Sequence, residues 1–189
     1  MELADYNNEF GDIDLFLLDL LLKGHVKNGA DVLDAGCGAG RNTFFFLKQG
    51  FHVKAIDRIQ SEVVATNFMS RTLNGSEVAL HGHLDNLPYV DQSFDLIVSS
   101  RVLHFSESKA HFDKVMSEFF RVLRPTGILY LSMNSKISSE GNSENTNHFL
   151  LTPSLTKEIM NCWTAILSNR TVLFEGGHGE TTLVLKKKR

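Results

Sequence analysis

Cysteine is scarce in this chain, which has only Cys37 and Cys162. Their spacing matches no metal-ligand pattern, so no metal site is expected, and a reducing cytoplasm is the expected compartment. Positive charge is also in short supply: 19 Lys and Arg stand against 22 Asp and Glu, for a net charge of −3. Such a balance gives no global basic field to draw in nucleic acid, and no DNA partner is expected. The one basic cluster, Lys186-Lys-Lys-Arg189, reads as a solvated tail. Long apolar runs are missing as well. A membrane span needs roughly 20 apolar residues, and the stretch from Leu15 to Leu22 is interrupted by Asp19. The opening Met1-Glu-Leu-Ala-Asp is acidic where a secretory leader has a positive segment. There are no internal repeats, and 189 residues suit one domain spanning 1–189.

What the chain does have is Val32-Leu-Asp-Ala-Gly-Cys-Gly-Ala-Gly-Arg-Asn-Thr43. An apolar run ends in an acid, passes three alternating glycines and opens into a helix-like segment. Glycines let a ligand lie against bare backbone, and a helix start offers unpaired N–H groups. The dinucleotide fingerprint G-x-G-x-x-G needs a third glycine where this chain has Arg41. Asp34, two residues before Gly36, would repel a pyrophosphate but suits a cationic group. A cofactor with an amino-acid end fits better than one with phosphates.

The rest of the chain alternates in period. Stretches at 31–36, 52–57, 77–81, 94–100 and 128–133 read as strands, the first and fourth as runs buried on both faces. Helical patterns lie at 42–49, at 61–73, along Phe112, Val115, Met116, Phe119 and Leu123, and from Thr152-Pro153 to about Trp163. Ile13, Phe16, Leu17, Leu20 and Leu21 form another helical stripe, with Asp12 as its expected cap. Residues 169–175 and 180–186 read as a closing antiparallel pair, because a parallel link needs a crossover. The fold expected is α/β, a Rossmann-like doubly wound sheet of seven mostly parallel strands with the last reversed, and helices on both faces.

VLDAGCGAGRNT (32–43) resembles the first motif of the class I S-adenosylmethionine (SAM) dependent methyltransferases. HVKAID (52–57) resembles the family's second strand. GHLDNLPYVDQSFDLIVSSRVLHF (82–105) resembles its adenine-contact segment and fourth strand, and FFRVLRPTGILYLSM (119–133) resembles the helix, turn and fifth strand that follow. The likeness is close over about 30–135. The "GRN" variant is similar to a subgroup that includes the tellurite-resistance and thiopurine enzymes.

The resemblance implies SAM as cofactor, S-adenosylhomocysteine as product, and a site at the carboxyl ends of the strands. Gly36, Cys37, Gly38 and Gly40 would form the turn, with Cys37 as a small filler. Asp34 would either orient the turn or reach the cofactor's ammonium through water. Arg41 and Asn42 would meet the cofactor carboxylate or cap the turn. Asp57, about twenty residues after the first glycine, would accept the ribose hydroxyls, with Arg58 beside the adenine edge. Asp85 would accept the adenine amino group, the backbone of Asn86 would serve a ring nitrogen, and Leu87 and Ile59 would sandwich the base. Ser100 and Val102 would pass under the sulfonium.

Methyl transfer from a sulfonium needs alignment and desolvation rather than a protein nucleophile. His104, after the fourth strand, is the candidate general base, or else a packing histidine at a helix start. Tyr6, Asn134 and His178 are the other candidate substrate contacts. Residues 1–29 would cover the cofactor, and 134–151 would form a polar active-site loop. Ser-Ser-Arg-Val (99–102) lacks the Asn/Asp-Pro-Pro-aromatic signature of enzymes that methylate base amines in DNA. The expectation is therefore methyl transfer to a small-molecule acceptor, by a monomer or homodimer. The alternatives are a methyltransferase acting on RNA or protein, or a non-catalytic SAM-binding partner subunit.

Overall fold

The computed structural model describes residues 10–136, 148–174 and 178–188. The helices are α1 (Leu15–Leu22), α2 (Arg41–Lys48), α3 (Gln60–Asn74), α4 (Lys109–Val122) and α5 (Pro153–Cys162), with a 3-10 turn at Leu103–Phe105. The strands are β1 (Asp31–Ala35), β2 (His52–Asp57), β3 (Ala79–His81), β4 (Phe94–Ser100), β5 (Leu123–Lys136), β6 (Trp163–Ala165), β7 (Arg170–Leu173) and β8 (His178–Lys187).

All the strands join one sheet in the order β3-β2-β1-β4-β5-β8-β6, and β7 also pairs with β8. Neighbours among the first five are parallel, and β8 runs antiparallel to β5. β6 and β7 both pair antiparallel with β8; β7 is the strand expected at 169–175, and β6 is an added strand where the pattern suggested only a helix end. The sheet accordingly holds eight strands where the sequence pattern suggested seven. The chain order reverses between β1 and β4, which opens the crevice at their carboxyl ends.

Both faces are buried. Leu33, Ile97, Leu129 and Leu131 pack under α4 and α5 with Phe112, Phe119 and Leu155. Val32, Leu96, Val98, Ile128 and Tyr130 face α1 and α2 through Leu17, Leu20, Phe45 and Phe46. This two-sided burial explains why β1 and β4 read as continuous apolar runs rather than alternating ones. Helix ends follow local chemistry. Ser108 accepts from the His111 N–H at the start of α4, and Thr152 accepts from Leu155 before Pro153 at the start of α5.

Three expectations are corrected. The cap of α1 is Asp14, whose carboxylate accepts from the Phe16 N–H; Ile13 precedes the helix. β5 extends through Asn134 to Lys136, because β8 pairs with it along its whole outer length. The basic tail is not simply solvated: the Lys187 Nζ donates to the carbonyls of Phe120 and Leu123 at the end of α4, and lies 4.9 Å from the Phe120 ring centroid. The Lys188 Nζ donates to the Met160 carbonyl near the end of α5, at 2.5 Å. Cations at helix C-termini satisfy orphan carbonyls there.

Candidate functional site

The glycine turn connects β1 to α2, and each of its three glycines is left-handed, with φ of 84°, 51° and 86° at Gly36, Gly38 and Gly40. They serve different ends. A Cβ on Gly36 would sit 2.5 Å from the Val102 side chain, and one on Gly40 would meet the Phe44 ring at 2.5 Å. A Cβ on Gly38 would meet nothing within 4 Å. Packing therefore demands two of the glycines, and the third faces open space against bare backbone. The Gly36 and Cys37 N–H groups both donate to the Ile56 carbonyl, tying the turn to β2.

Asp57, at the end of β2, holds the turn from the other side. Its Oδ2 accepts from the Gly38 N–H at 2.8 Å and its Oδ1 from the Ile59 N–H at 2.9 Å. Each carboxylate oxygen carries a second lone pair, so the pair of oxygens still has acceptor capacity after these two bonds. The Thr66 hydroxyl donates to the Gly38 carbonyl and fixes the turn from α3. Asp34 is buried one layer below, accepting from the Thr43 hydroxyl at 2.6 Å. Burial lifts its pKa to about 6, against the lowering effect of the Thr43 bonds. Burial also pushes the Cys37 thiol well above the usual range, aided by Asp34 and Asp57. It is a protonated filler, not a nucleophile.

The turn is followed by a polar network that sequence reasoning missed in part. The Arg41 Nη2 donates to the Ser100 Oγ at 3.1 Å, and the Ser100 hydroxyl donates to the Asp14 Oδ2 at 3.0 Å. The Tyr130 hydroxyl donates to the Asp14 Oδ1 at 2.8 Å. The Asp14 N–H donates to the Asn42 Oδ1 at 3.3 Å. Arg41, Asn42 and Ser100 are thus brought together, with Asp14 as the unforeseen hub. The available signal was its position as the acid directly before the apolar run Leu15–Leu22, a helix-cap signature.

The segment after β3 departs from expectation. The Asp85 carboxylate pairs with the Lys114 Nζ at 2.9 Å, which holds it below the usual carboxylate range. Asn86 is exposed. Leu87 cannot be one wall of an open adenine slot, because it is 4% exposed and packs in the core with Phe94 and Met116. The cause is a clamp from α4. The Glu118 Oε2 accepts the Leu87 N–H at 2.7 Å, and Arg121 donates to the carbonyls of Leu87 and Tyr89. Ile59 stands at 49% exposure. Asp95 lies at the amino end of β4, bonded to the Asp31 N–H and Arg124, outside the site.

Beyond β4, Val102 packs on Gly36 and the chain enters the 3-10 turn. The His104 ring is buried and its Nδ1 has no hydrogen-bond partner. Burial, with His148 and Arg101, lowers its pKa to about 4. An imidazole of that pKa is a weak base near neutral pH, which favours the packing role over that of general base. His104 lies 4.2 Å from the Phe105 ring and 5.0 Å from that of His148, centroid to centroid. His148 is held by Asn134 at 3.2 Å, and the Phe149 N–H donates to the His104 carbonyl. Arg58 is exposed, with its guanidinium carbon 5.9 Å from the Phe105 centroid. His104 and Asn134 therefore fall in one cluster. His178 begins β8 opposite Lys136, and Tyr6 lies outside the described residues. A separate cleft of about 460 Å³ between α4 and α5 is floored by Phe112, Met116, Leu155, Ile159 and Trp163; none of these belongs to the turn or to the ends of β1, β2 and β4.

The profile of the methyltransferase domain family matches residues 33–131. A malonyl-[acyl-carrier protein] O-methyltransferase of Pectobacterium atrosepticum is 29% identical over 102 residues, which are 54% of this chain and 38% of that protein. A probable S-adenosylmethionine-dependent methyltransferase of Mycolicibacterium smegmatis is 32% identical over 126 residues, 66% of this chain and 46% of that protein. The chain spans less than half the length of these curated relatives. Among solved structures, the 1,6-didemethyltoxoflavin-N1-methyltransferase of Burkholderia thailandensis, with 1,6-didemethyltoxoflavin and S-adenosylhomocysteine bound, superposes with a TM-score of 0.73 at 18% identity. That superposition covers 98% of this chain and 87% of the other.

Proposed function

We propose that this chain, which belongs to the class I S-adenosylmethionine-dependent methyltransferase family, transfers a methyl group to a small-molecule acceptor across the carboxyl ends of β1, β2 and β4. The observation that carries the reading is the open cradle at Gly38, bounded by Asp57. A bare left-handed backbone with free space before it, next to a carboxylate with acceptor capacity left, fits a ribose and its attached thioether.

When bound, the cofactor supplies a sulfonium-activated methyl group for in-line displacement, so the protein's task is alignment and exclusion of water. Asp57 receives the ribose hydroxyls while keeping the turn closed. Asp85 receives the adenine amino group, its position set by Lys114. Ile59 covers one face of the base. Arg41 receives the cofactor carboxylate, and Asp34 supports the turn from beneath through Thr43. The backbone from Ser100 to Val102, at the carboxyl end of β4, would lie beside the cofactor's sulfur.

His104 meets the acceptor as a neutral imidazole, offering its unpartnered Nδ1. A buried polar atom without a partner is costly unless a ligand or water satisfies it. A weak base suits an acceptor that needs no strong deprotonation, such as an amine, a thiolate or an already ionised oxygen. The net charge of −3 supports a small acceptor over a polyanion.

Incubation with methyl-tritiated SAM and three acceptor pools tests this: a small-metabolite extract, total RNA and bulk protein. Label in the small-metabolite fraction is expected. Label confined to RNA or protein contradicts the acceptor assignment.

A further inference from the structure

Asp14 does more than cap α1. One oxygen completes the cap and accepts a hydrogen bond from the Tyr130 hydroxyl, which anchors the segment to β5. The other accepts the Ser100 proton at the end of β4. A serine hydroxyl has one proton and two lone pairs. With its proton committed to Asp14, Ser100 turns its lone pairs toward the Arg41 Nη2 at 3.1 Å. The Asp14 N–H reaches the next residue, Asn42. The first two residues of α2 are therefore both held by Asp14, one directly and one through Ser100. Arg41 is half-buried and makes no ion pair among the described residues. Its guanidinium is fixed by the neutral Ser100 hydroxyl, and its charge reaches the buried Asp34 without an ion pair.

We infer that Asp14 is a positioning residue that sets how tightly the amino-acid end of the cofactor is held, acting through Ser100 on Arg41. This rests on the reading of Arg41 as the carboxylate contact. Replacing the carboxylate by an amide removes an acceptor, frees the Ser100 proton to rotate toward Arg41, and detunes the guanidinium. Asp57 and Asp85, which would hold the adenosine half, bond to Gly38, Ile59 and Lys114 rather than to this network, so that half should be unaffected.

Calorimetric titration of the whole chain with two probes separates this role from a structural one. S-adenosylhomocysteine carries the amino-acid end, and 5′-methylthioadenosine lacks it. For Asp14→Asn, the Kd for S-adenosylhomocysteine is expected to rise about tenfold, while that for methylthioadenosine changes less than about twofold. Ser100→Ala, which leaves the α1 cap intact, is expected to reproduce the selective loss even if Asp14→Asn folds poorly. An equal loss on both probes in Ser100→Ala, or no loss on either, overturns the proposal alone. Wild-type protein that binds neither probe overturns the cofactor reading and this proposal with it.

Discussion

Two buried titratable side chains pull stability in opposite directions with pH. Asp34 has a folded pKa of about 6, above the unfolded value of about 4. Between those values the folded state holds a proton that the unfolded state has lost, so stability falls as pH rises, by about 3 kcal/mol in all. His104 has a folded pKa of about 4, below the unfolded value of about 6.5. Between those values the unfolded state holds the extra proton, so stability falls as pH drops, by a similar amount. The two slopes nearly cancel between pH 4 and 6. Urea denaturation across that range should show His104→Phe losing stability toward pH 6, relative to wild type, and Asp34→Asn losing it toward pH 4. Parallel curves for all three proteins would contradict the assigned burial of both groups. Asp34 was legible because its place before Gly36 belongs to a motif. The lowered pKa of His104 was not, because it arises from burial in the folded chain, with His148 brought in from a distant segment and Arg101 adding to it.

Among the elements, the glycine turn makes the sharpest distinction. Gly36→Ala forces a methyl into Val102 and should cost more than about 3 kcal/mol of stability, read by urea melts. Gly38→Ala meets only the strain of its positive φ, about 1 kcal/mol, so it should fold yet lose at least tenfold in S-adenosylhomocysteine affinity. Equal folding and equal binding in the two variants would remove the cradle from the account. The α4 clamp matters in a similar way. Arg121→Met severs donations to the Leu87 and Tyr89 carbonyls and to Glu118, and should cost about 2 kcal/mol. The sequence disclosed helix and strand periods because burial imprints them on every turn. It did not disclose the clamp, whose partners lie 31 and 34 residues apart along the chain. For the same reason Leu87 read as a free wall when it is a core residue. β6 escaped notice because it has three residues, too few for a period to register.

For the whole molecule, the mostly parallel sheet and the reversed β8 followed from the alternation of patterns and the shortness of the last connection, while the order of the strands did not. The tail did not, because Lys187 finds its carbonyls only once β8 has docked beside α4. Lys187→Ala should lower stability by about 1 kcal/mol, measured by thermal melts. The position of the site follows from topology, since the reversal between β1 and β4 places Gly36, Asp57 and Ser100 around one crevice. No helix among the described residues is long and apolar enough to cross a membrane. The central claim is that this crevice takes S-adenosylmethionine and not a dinucleotide, and calorimetric titration of the wild-type chain with S-adenosylhomocysteine, beside NAD, tests it most directly. The account predicts saturable binding of the nucleoside thioether with Kd on the order of micromolar and no heat from NAD. Saturable NAD binding, or a folded protein that binds neither, would contradict it.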